Sequence, residues 1–486
     1  MRPTDEQHAV VEAVRTGKPV KVKAYAGAGK TSTLCLAADA RARARGLYLA
    51  FNREIANEAQ RKFPANTRCQ TFHSWAYRSV APEITRKLRN PVEPPYQRAL
   101  RYGLSALRVP TAIGKDLELS ASKLARMVGD GVARFCRSAQ ASPEAWHIPI
   151  DPVVTDEAAD AIRAELLPYV ERLWAESINP SSPASISHDI YLKLWERSRP
   201  VIPADFILFD EAQDADGLML SVLRHQAAQI VYVGDPYQQI YEWRGAVNAM
   251  DHIRATEYAL TESFRFGHRI ASFASRILRL MDEDMPVRGQ PSIASSIVYD
   301  AVAGELPVDA VLCRKNTTVL AQLALGLHRG HKVAVRANLA ELTAFVDGAE
   351  RLQHGQRIEY PASLALFESW EDVQDYAESF AGRDLLPLVK LIDEHGADYL
   401  RRLLASVSPE DGADYLISTV HKAKGLEWDR VRLAGDFRFR QGDDGKLTMP
   451  AEEKRLFYVG ATRAKQLLDT SEVHRDIQRV FLDAGV

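Results

Sequence analysis

Short apolar runs alternate with longer segments of helical periodicity along most of this chain. Val20-Lys21-Val22-Lys23-Ala24-Tyr25 predicts a strand, followed by a Gly-rich turn and a helix from Thr31. Gly46-Leu47-Tyr48-Leu49-Ala50-Phe51 predicts a second strand. Phe206-Ile207-Leu208-Phe209 and Gln229-Ile230-Val231-Tyr232-Val233 are unbroken apolar stretches of the kind that both faces of a parallel sheet bury. A second set follows, with strands expected at Ala310-Val311-Leu312-Cys313, Tyr415-Leu416-Ile417-Ser418-Thr419-Val420 and Val431-Arg432-Leu433-Ala434. Strands separated by helical segments predict an α/β fold with parallel sheets.

Two stretches interrupt that alternation. Residues 81–185 are rich in helix formers and punctuated by Pro91, Pro94, Pro95, Pro180 and Pro183, which predicts a helical insertion. Residues 335–410 predict a second, smaller insertion. The expected organisation is therefore a first α/β domain (1–80 with 186–262) and a second (263–334 with 411–486), each carrying a mainly helical insertion.

The turn after the first strand carries the first candidate chemistry. Ala24-Tyr25-Ala26-Gly27-Ala28-Gly29-Lys30-Thr31 links a strand to a helix, and glycines let the backbone N–H groups of Ala26, Gly27, Ala28 and Gly29 face a phosphate. Lys30 is expected to reach the β- and γ-phosphates of ATP, and Thr31 to bind Mg²⁺. Ala24 stands where the strict phosphate-loop pattern has Gly. Asp210-Glu211-Ala212-Gln213-Asp214 directly follows the buried strand 206–209. Two carboxylates at the carboxyl end of a central strand suit a Mg²⁺ ligand, Asp210, and a base for the attacking water, Glu211.

Composition narrows the class. With 62 Lys plus Arg against 64 Asp plus Glu in 486 residues, the chain is no histone-like basic protein. Hydrophobic residues at 46% and charged residues at 26% fit a globular chain. No apolar run reaches membrane-spanning length, and no signal peptide is read at the N-terminus. The four cysteines, Cys35, Cys69, Cys136 and Cys313, have no metal-ligand spacing, and a cytoplasmic location is expected, nucleoid-associated in a bacterium.

Further motifs follow in a fixed order. They are Thr4-Asp5-Glu6-Gln7, Thr71-Phe72-His73-Ser74, Gly234-Asp235-Pro236-Tyr237-Gln238-Gln239-Ile240-Tyr241-Glu242-Trp243-Arg244-Gly245-Ala246, Glu262-Ser263-Phe264-Arg265, Thr419-Val420-His421-Lys422-Ala423-Lys424-Gly425-Leu426-Glu427 and Tyr458-Val459-Gly460-Ala461-Thr462-Arg463-Ala464. Together they resemble superfamily 1 DNA helicases of the UvrD/Rep/PcrA group, and most closely the F-box DNA helicase branch, although no F-box segment is evident. The resemblance implies two RecA-like domains with ATP between them. It implies that Gln7 reads the adenine, that Phe264 stacks on it, and that Glu427 contacts the ribose. Ser32 stands where many relatives place a base-stacking Arg. Gln238 is expected to sense the γ-phosphate. Arg265 and Arg463 are expected to serve as arginine fingers, a role typically worth ~10³–10⁵ in rate.

Single strands are held by aromatic stacking beside cations. In the motifs that contact DNA in that family, Phe51, Phe72, Tyr241 and Trp243 are the expected stacking residues, with Asn52, His73, Arg244 and His421 as polar contacts. Residues 81–140 hold 11 Lys/Arg against 5 Asp/Glu, a net of +6, which favours the first insertion as part of the DNA surface. Residues 341–400 hold 4 against 13, a net of −9, which suits a protein partner better than phosphates. The expectation is an ATP-dependent DNA helicase or translocase moving 3′→5′ on single-stranded DNA and engaging single-strand/duplex junctions, in repair or recombination control. A translocase that strips bound proteins, or an ATP-gated DNA-binding signalling module, are the alternatives.

Overall fold

The computed structural model describes residues 2–50, 52–111, 114, 116–240, 249–301, 306–358, 360, 361, 364, 367–378, 385–442 and 444–486. The chain forms two compact units, Met1–Ala24 with Lys30–Leu260, and Tyr25–Gly29 with Thr261–Val486.

The first unit opens with α1 (Asp5–Arg15), β1 (Val20–Ala24), α2 (Lys30–Asp39), β2 (Gly46–Ala50), α3 (Arg53–Lys62), β3 (Thr67–Thr71) and α4 (Phe72–Ser79). The expected insertion holds α5 (Pro82–Arg86), α6 (Pro95–Tyr102), a small antiparallel pair β4 (Leu107–Val109) and β5 (Leu117–Leu119), α7 (Ala121–Cys136) and α8 (Asp156–Ile178). After α9 (His188–Arg197) the chain returns through β6 (Phe206–Phe209), α10 (Gly217–Arg224), β7 (Gln229–Gly234), α11 (Ala249–His252) and β8 (Thr256–Leu260). The six strands order as β3-β2-β6-β7-β1-β8, all parallel. Every residue of β6 and β7 is buried, as their unbroken apolar runs require.

The helical segment has a core of its own, in which Phe135, Val128, Leu166, Val170 and Trp174 interdigitate. Much of its charge is internal. Arg98 and Arg101 pair with Glu93, and Arg101 and Arg172 pair with Glu176. Lys87 is buried, and its ammonium donates to the carbonyls of Glu176 and Ser177 in the last turn of α8 and of its C-cap Asn179, which lack helical partners.

The second unit contains β9 (Glu262–Ser263), α12 (His268–Arg279), β10 (Arg288–Gly289), β11 (Ser296–Val298), β12 (Ala310–Cys313), α13 (Asn316–His328) and β13 (Val333–Arg336). Then come α14 (Leu339–Gln353), α15 (Trp370–Glu378), α16 (Leu386–Ala405), β14 (Tyr415–Thr419), α17 (Val420–Ala423) and β15 (Trp428–Leu433). It closes with the pair β16 (Arg440–Gln441) and β17 (Leu447–Thr448), α18 (Ala451–Ala461), β18 (Ala464–Asp469) and α19 (His474–Asp483). The second six-stranded sheet, β11-β18-β15-β12-β14-β13, is again wholly parallel.

Two parallel sheets with interspersed helices bear out the α/β fold class. Several ends differ from expectation. β1 stops at Ala24 and β14 at Thr419, because Tyr25 begins the phosphate-loop turn and Thr419 caps α17 through the Lys422 N–H. The first loop helix starts at Lys30, one residue early, and β15 ends at Leu433, one residue short. β13 runs across the expected boundary at residue 335. Helices α14 to α16 share one core with α13 and strands β12 and β14, where Phe345, Trp370 and Leu388 pack beside Val319, Leu323 and Ile417.

Candidate nucleotide and nucleic-acid site

Within the first unit, the loop helix and the ends of β6 and β7 bring four charged groups together. Lys30 begins α2, and its ammonium lies 2.7 Å from Glu211 Oε1. Burial alone would lower its pKa, but the charges of Glu211, Asp210 and Asp235 hold it above the ordinary lysine value. Asp210 follows the last residue of β6 and is 5% exposed. Its Oδ1 accepts from the Glu211 N–H at 2.9 Å, and its Oδ2 accepts from the Tyr48 hydroxyl at 2.7 Å. Burial, then the charge of Glu211, raise the Asp210 pKa.

Glu211 has φ 53°, in the left-handed region that non-glycine residues seldom occupy. That turn directs its carboxylate to Lys30 on one oxygen and to the Gln213 amide at 2.6 Å on the other. The Gln213 carbonyl oxygen in turn accepts from the Asp235 N–H at 3.0 Å. Gly234 permits this approach, since a Cβ there would lie 2.4 Å from Gln213 Oε1. Asp235 is fully buried, and burial lifts its pKa to about 6. Gln238 donates to Asp235 Oδ2 at 2.6 Å. Tyr48, Gln213 and Asp235 escaped the sequence reading. Asp235 stood inside a quoted motif, while Tyr48 gave no signal beyond being the one polar side chain of an apolar strand.

Thr31 is half-buried and Ser32 exposed on the first turn of α2. Gln7 is buried with both ends of its amide engaged: Oε1 accepts from Thr4 N–H at 3.1 Å and Nε2 donates to Thr33 Oγ1 at 3.0 Å. The first bond completes the capping box of α1, so reading an adenine requires these partners to exchange.

Within the second unit, the turn residues Ala26, Gly27, Ala28 and Gly29 meet the Ser263-Phe264-Arg265 segment. The Phe264 N–H donates to the Gly27 carbonyl at 2.8 Å. Gly27 and Gly29 have φ of +74° and +72°, and a Cβ on Gly27 would stand 2.4 Å from Ser263 Oγ. Arg265 pairs with Glu427 at 2.6 Å and donates to the Thr462 carbonyl at 3.0 Å, so a finger candidate and the ribose candidate share a bond.

Arg463 is 1% exposed, and its guanidinium donates to the carbonyls of Val459 and Leu426 and to Thr462 Oγ1. The Val459 carbonyl lies in the last turn of α18, where helical partners run out. One expectation needs correction: Phe72 is no stacking platform. It is 2% exposed and packs edge-on against Phe209 and Trp195, because α4 presents it to the sheet core.

The remaining nucleic-acid candidates divide. Asn52 is exposed and caps α3 by accepting from the Ile55 N–H. His73 lies beside the Tyr191 hydroxyl at 3.2 Å, and burial lowers its pKa. His421 is half-buried on α17. Phe51, Tyr241, Trp243 and Arg244 lie outside the described residues.

The donor set fits Mg²⁺, a hard cation that takes oxygen ligands: Thr31, next to Lys30 at the start of α2, offers a hydroxyl, and Asp210, directly after β6, offers a carboxylate.

The family described as UvrD/REP helicase N-terminal domain matches residues 198–253, and the UvrD-like helicase C-terminal domain matches residues 334–474. The chain is 30% identical to F-box DNA helicase protein 1 of Schizosaccharomyces pombe over 96% of its own length and 57% of that protein. It is 28% identical to F-box DNA helicase 1 of Gallus gallus over 96% of its length and 49% of that protein. A probable DNA helicase of Mycoplasma pneumoniae is 24% identical over 54% of the chain and 42% of that protein. The chain therefore spans about half the length of these relatives. Among the described residues, no helix is long and apolar enough to cross a membrane.

Proposed function

We propose, from the match of residues 198–253 and 334–474 to the N-terminal and C-terminal domain models of UvrD-like helicases, that this chain is an ATP-dependent DNA helicase moving 3′→5′ along a single strand. The observation that carries the reading is the Lys30, Glu211, Asp210 and Asp235 cluster, in which a cation and three carboxylates converge at the ends of neighbouring parallel strands. The cation neutralises phosphate charge. Thr31 and Asp210 would hold Mg²⁺, which when bound offsets the negative charge of the transferring phosphoryl group. Glu211, oriented by Gln213, is placed to take the proton of an attacking water once phosphate draws Lys30 away from it. The resemblance implies that Arg265 serves as an arginine finger, a cation for the charge that builds in the transition state. DNA is the substrate class that the relatives' names carry, and repair or recombination control is the setting that the resemblance implies.

ATPase and strand-displacement assays on 3′-tailed, 5′-tailed and blunt duplexes test this reading. DNA-stimulated hydrolysis with preferential opening of 3′-tailed duplexes is expected. Opening of 5′-tailed duplexes would reverse the polarity, and hydrolysis absent with every DNA would refute the reading.

A further inference from the structure

Strand β2 reads Gly-Leu-Tyr-Leu-Ala, and every one of its residues is buried. Tyr48 is its only polar side chain and has no exposed surface. A buried phenol is unfavourable unless its hydroxyl finds a partner, and a Phe would fill the same space without that requirement. The partner here is Asp210 Oδ2, at 2.7 Å.

Sheet register explains the reach. β2 and β6 pair in parallel with Tyr48 opposite Leu208, so Asp210 lies two residues further along the same face. The diagonal neighbour is within range of a long aromatic side chain. The Phe63 ring packs against the Tyr48 ring with centroids 4.6 Å apart, and Cys69 of β3 is its register partner on the other side. The phenol is thus held between two strands and Phe63, the residue that caps α3, with its hydroxyl on Asp210.

A carboxylate has about four lone-pair positions, and the Tyr48 hydroxyl and the Glu211 N–H take one on each oxygen of Asp210. The plane of the carboxylate is therefore fixed before any ion arrives, with the remaining lone pairs available to a ligand. We infer that Tyr48 is a positioning residue that pre-orients Asp210 for the Mg²⁺ that accompanies ATP. The inference rests on the nucleotide-site reading above. Partners of metal-ligating carboxylates typically contribute 10–100-fold in metal affinity.

The test uses the full chain and a fluorescent ATP analogue, with binding measured against Mg²⁺ concentration and again in chelator. Tyr48→Phe should raise the Mg²⁺ concentration for half-maximal binding by roughly tenfold or more. Binding of the analogue without metal should not change, a contrast that a general loss of structure would not produce. Phe63→Leu, which loosens the ring but keeps the hydroxyl, should give a smaller rise in the same direction and covers the case in which Tyr48→Phe is not recovered folded. In an Asp210→Asn background, Tyr48→Phe should have no further effect on the metal requirement. A wild-type Mg²⁺ profile in both Tyr48→Phe and Phe63→Leu, in a chain whose wild type hydrolyses ATP, overturns the inference and leaves the functional reading standing. A wild type that neither binds nor hydrolyses ATP removes both.

Discussion

Lys30 and Glu211 form an ion pair, Nζ to Oε1 at 2.7 Å, between the group expected to meet phosphate and the group expected to activate water. Each thus occupies the other. Phosphate must displace the carboxylate from the ammonium, and that exchange frees Glu211 to act as a base.

Two substitutions separate the roles. Lys30→Ala should reduce ATP turnover below about a tenth of wild type, given the size of electrostatic contributions at such sites, while single-strand binding persists. Glu211→Gln should abolish turnover comparably yet leave ATP affinity equal or higher, because the carboxylate that competes with phosphate is gone. Steady-state ATPase together with nucleotide titration reads both. Weaker ATP binding in Glu211→Gln would contradict the exchange.

The two arginines should now behave differently. Arg265→Ala should lower kcat far more than it weakens ATP binding, since its charge is needed most where the transition state develops. Arg463→Ala should also destabilise the fold by roughly 2–3 kcal/mol, because it removes charged donors from buried carbonyls. Denaturant unfolding beside kinetics distinguishes them, and an Arg463→Ala variant of unchanged stability would show that these bonds carry no stability.

Phe72 offers a test of its reassignment. Phe72→Ala should cost about 3–5 kcal/mol as a large-to-small core change. Phe72→Leu should retain single-strand affinity. A selective loss of DNA binding in the leucine variant would show that the ring stacks on a base after all.

Stability should depend on pH through buried acids. Burial raises the Asp216 carboxyl to about 7, against an unfolded value near that of a free aspartate, and raises Asp235 to about 6. Between the unfolded and folded values the native chain binds more protons than the unfolded chain. The stability these groups contribute is therefore full at low pH and is lost as pH rises towards 6 and 7. Asp216→Asn should flatten that decline in a pH series of denaturant midpoints. An unchanged slope would mean that Asp216 titrates normally.

The phosphate loop, the acidic motif and the two parallel sheets were legible because each rests on local pattern: glycines before Lys30, carboxylates after an apolar strand, and unbroken runs at 206–209 and 229–233. Strand β3 was not, since Thr-Arg-Cys-Gln-Thr has little apolar content and earns its place by pairing along β2. Burial was the other gap. Motif membership says nothing of which way a ring points, so Phe72 read as an outward group although α4 turns it inward. Tyr48 was invisible because its partner lies 162 positions away in sequence.

The internal pairing of the first helical segment also bears on how DNA binding should respond to ionic strength. Of the 11 cations in residues 81–140, Arg86, Arg98, Arg101, Arg108 and Arg137 face carboxylates, and Lys87 is enclosed by carbonyls. Among the described residues, Arg89, Lys123, Arg126 and Arg134 make no salt bridge. Only cations that neutralise phosphates release counterions, with a slope of about −0.7 per contact on single strands. Four such contacts would give this surface a log–log salt slope of about −3, where a simple tally of Lys and Arg would give about −8. Its hold on a strand would then loosen only gently as salt rises, leaving the grip to be set by stacking rather than by charge.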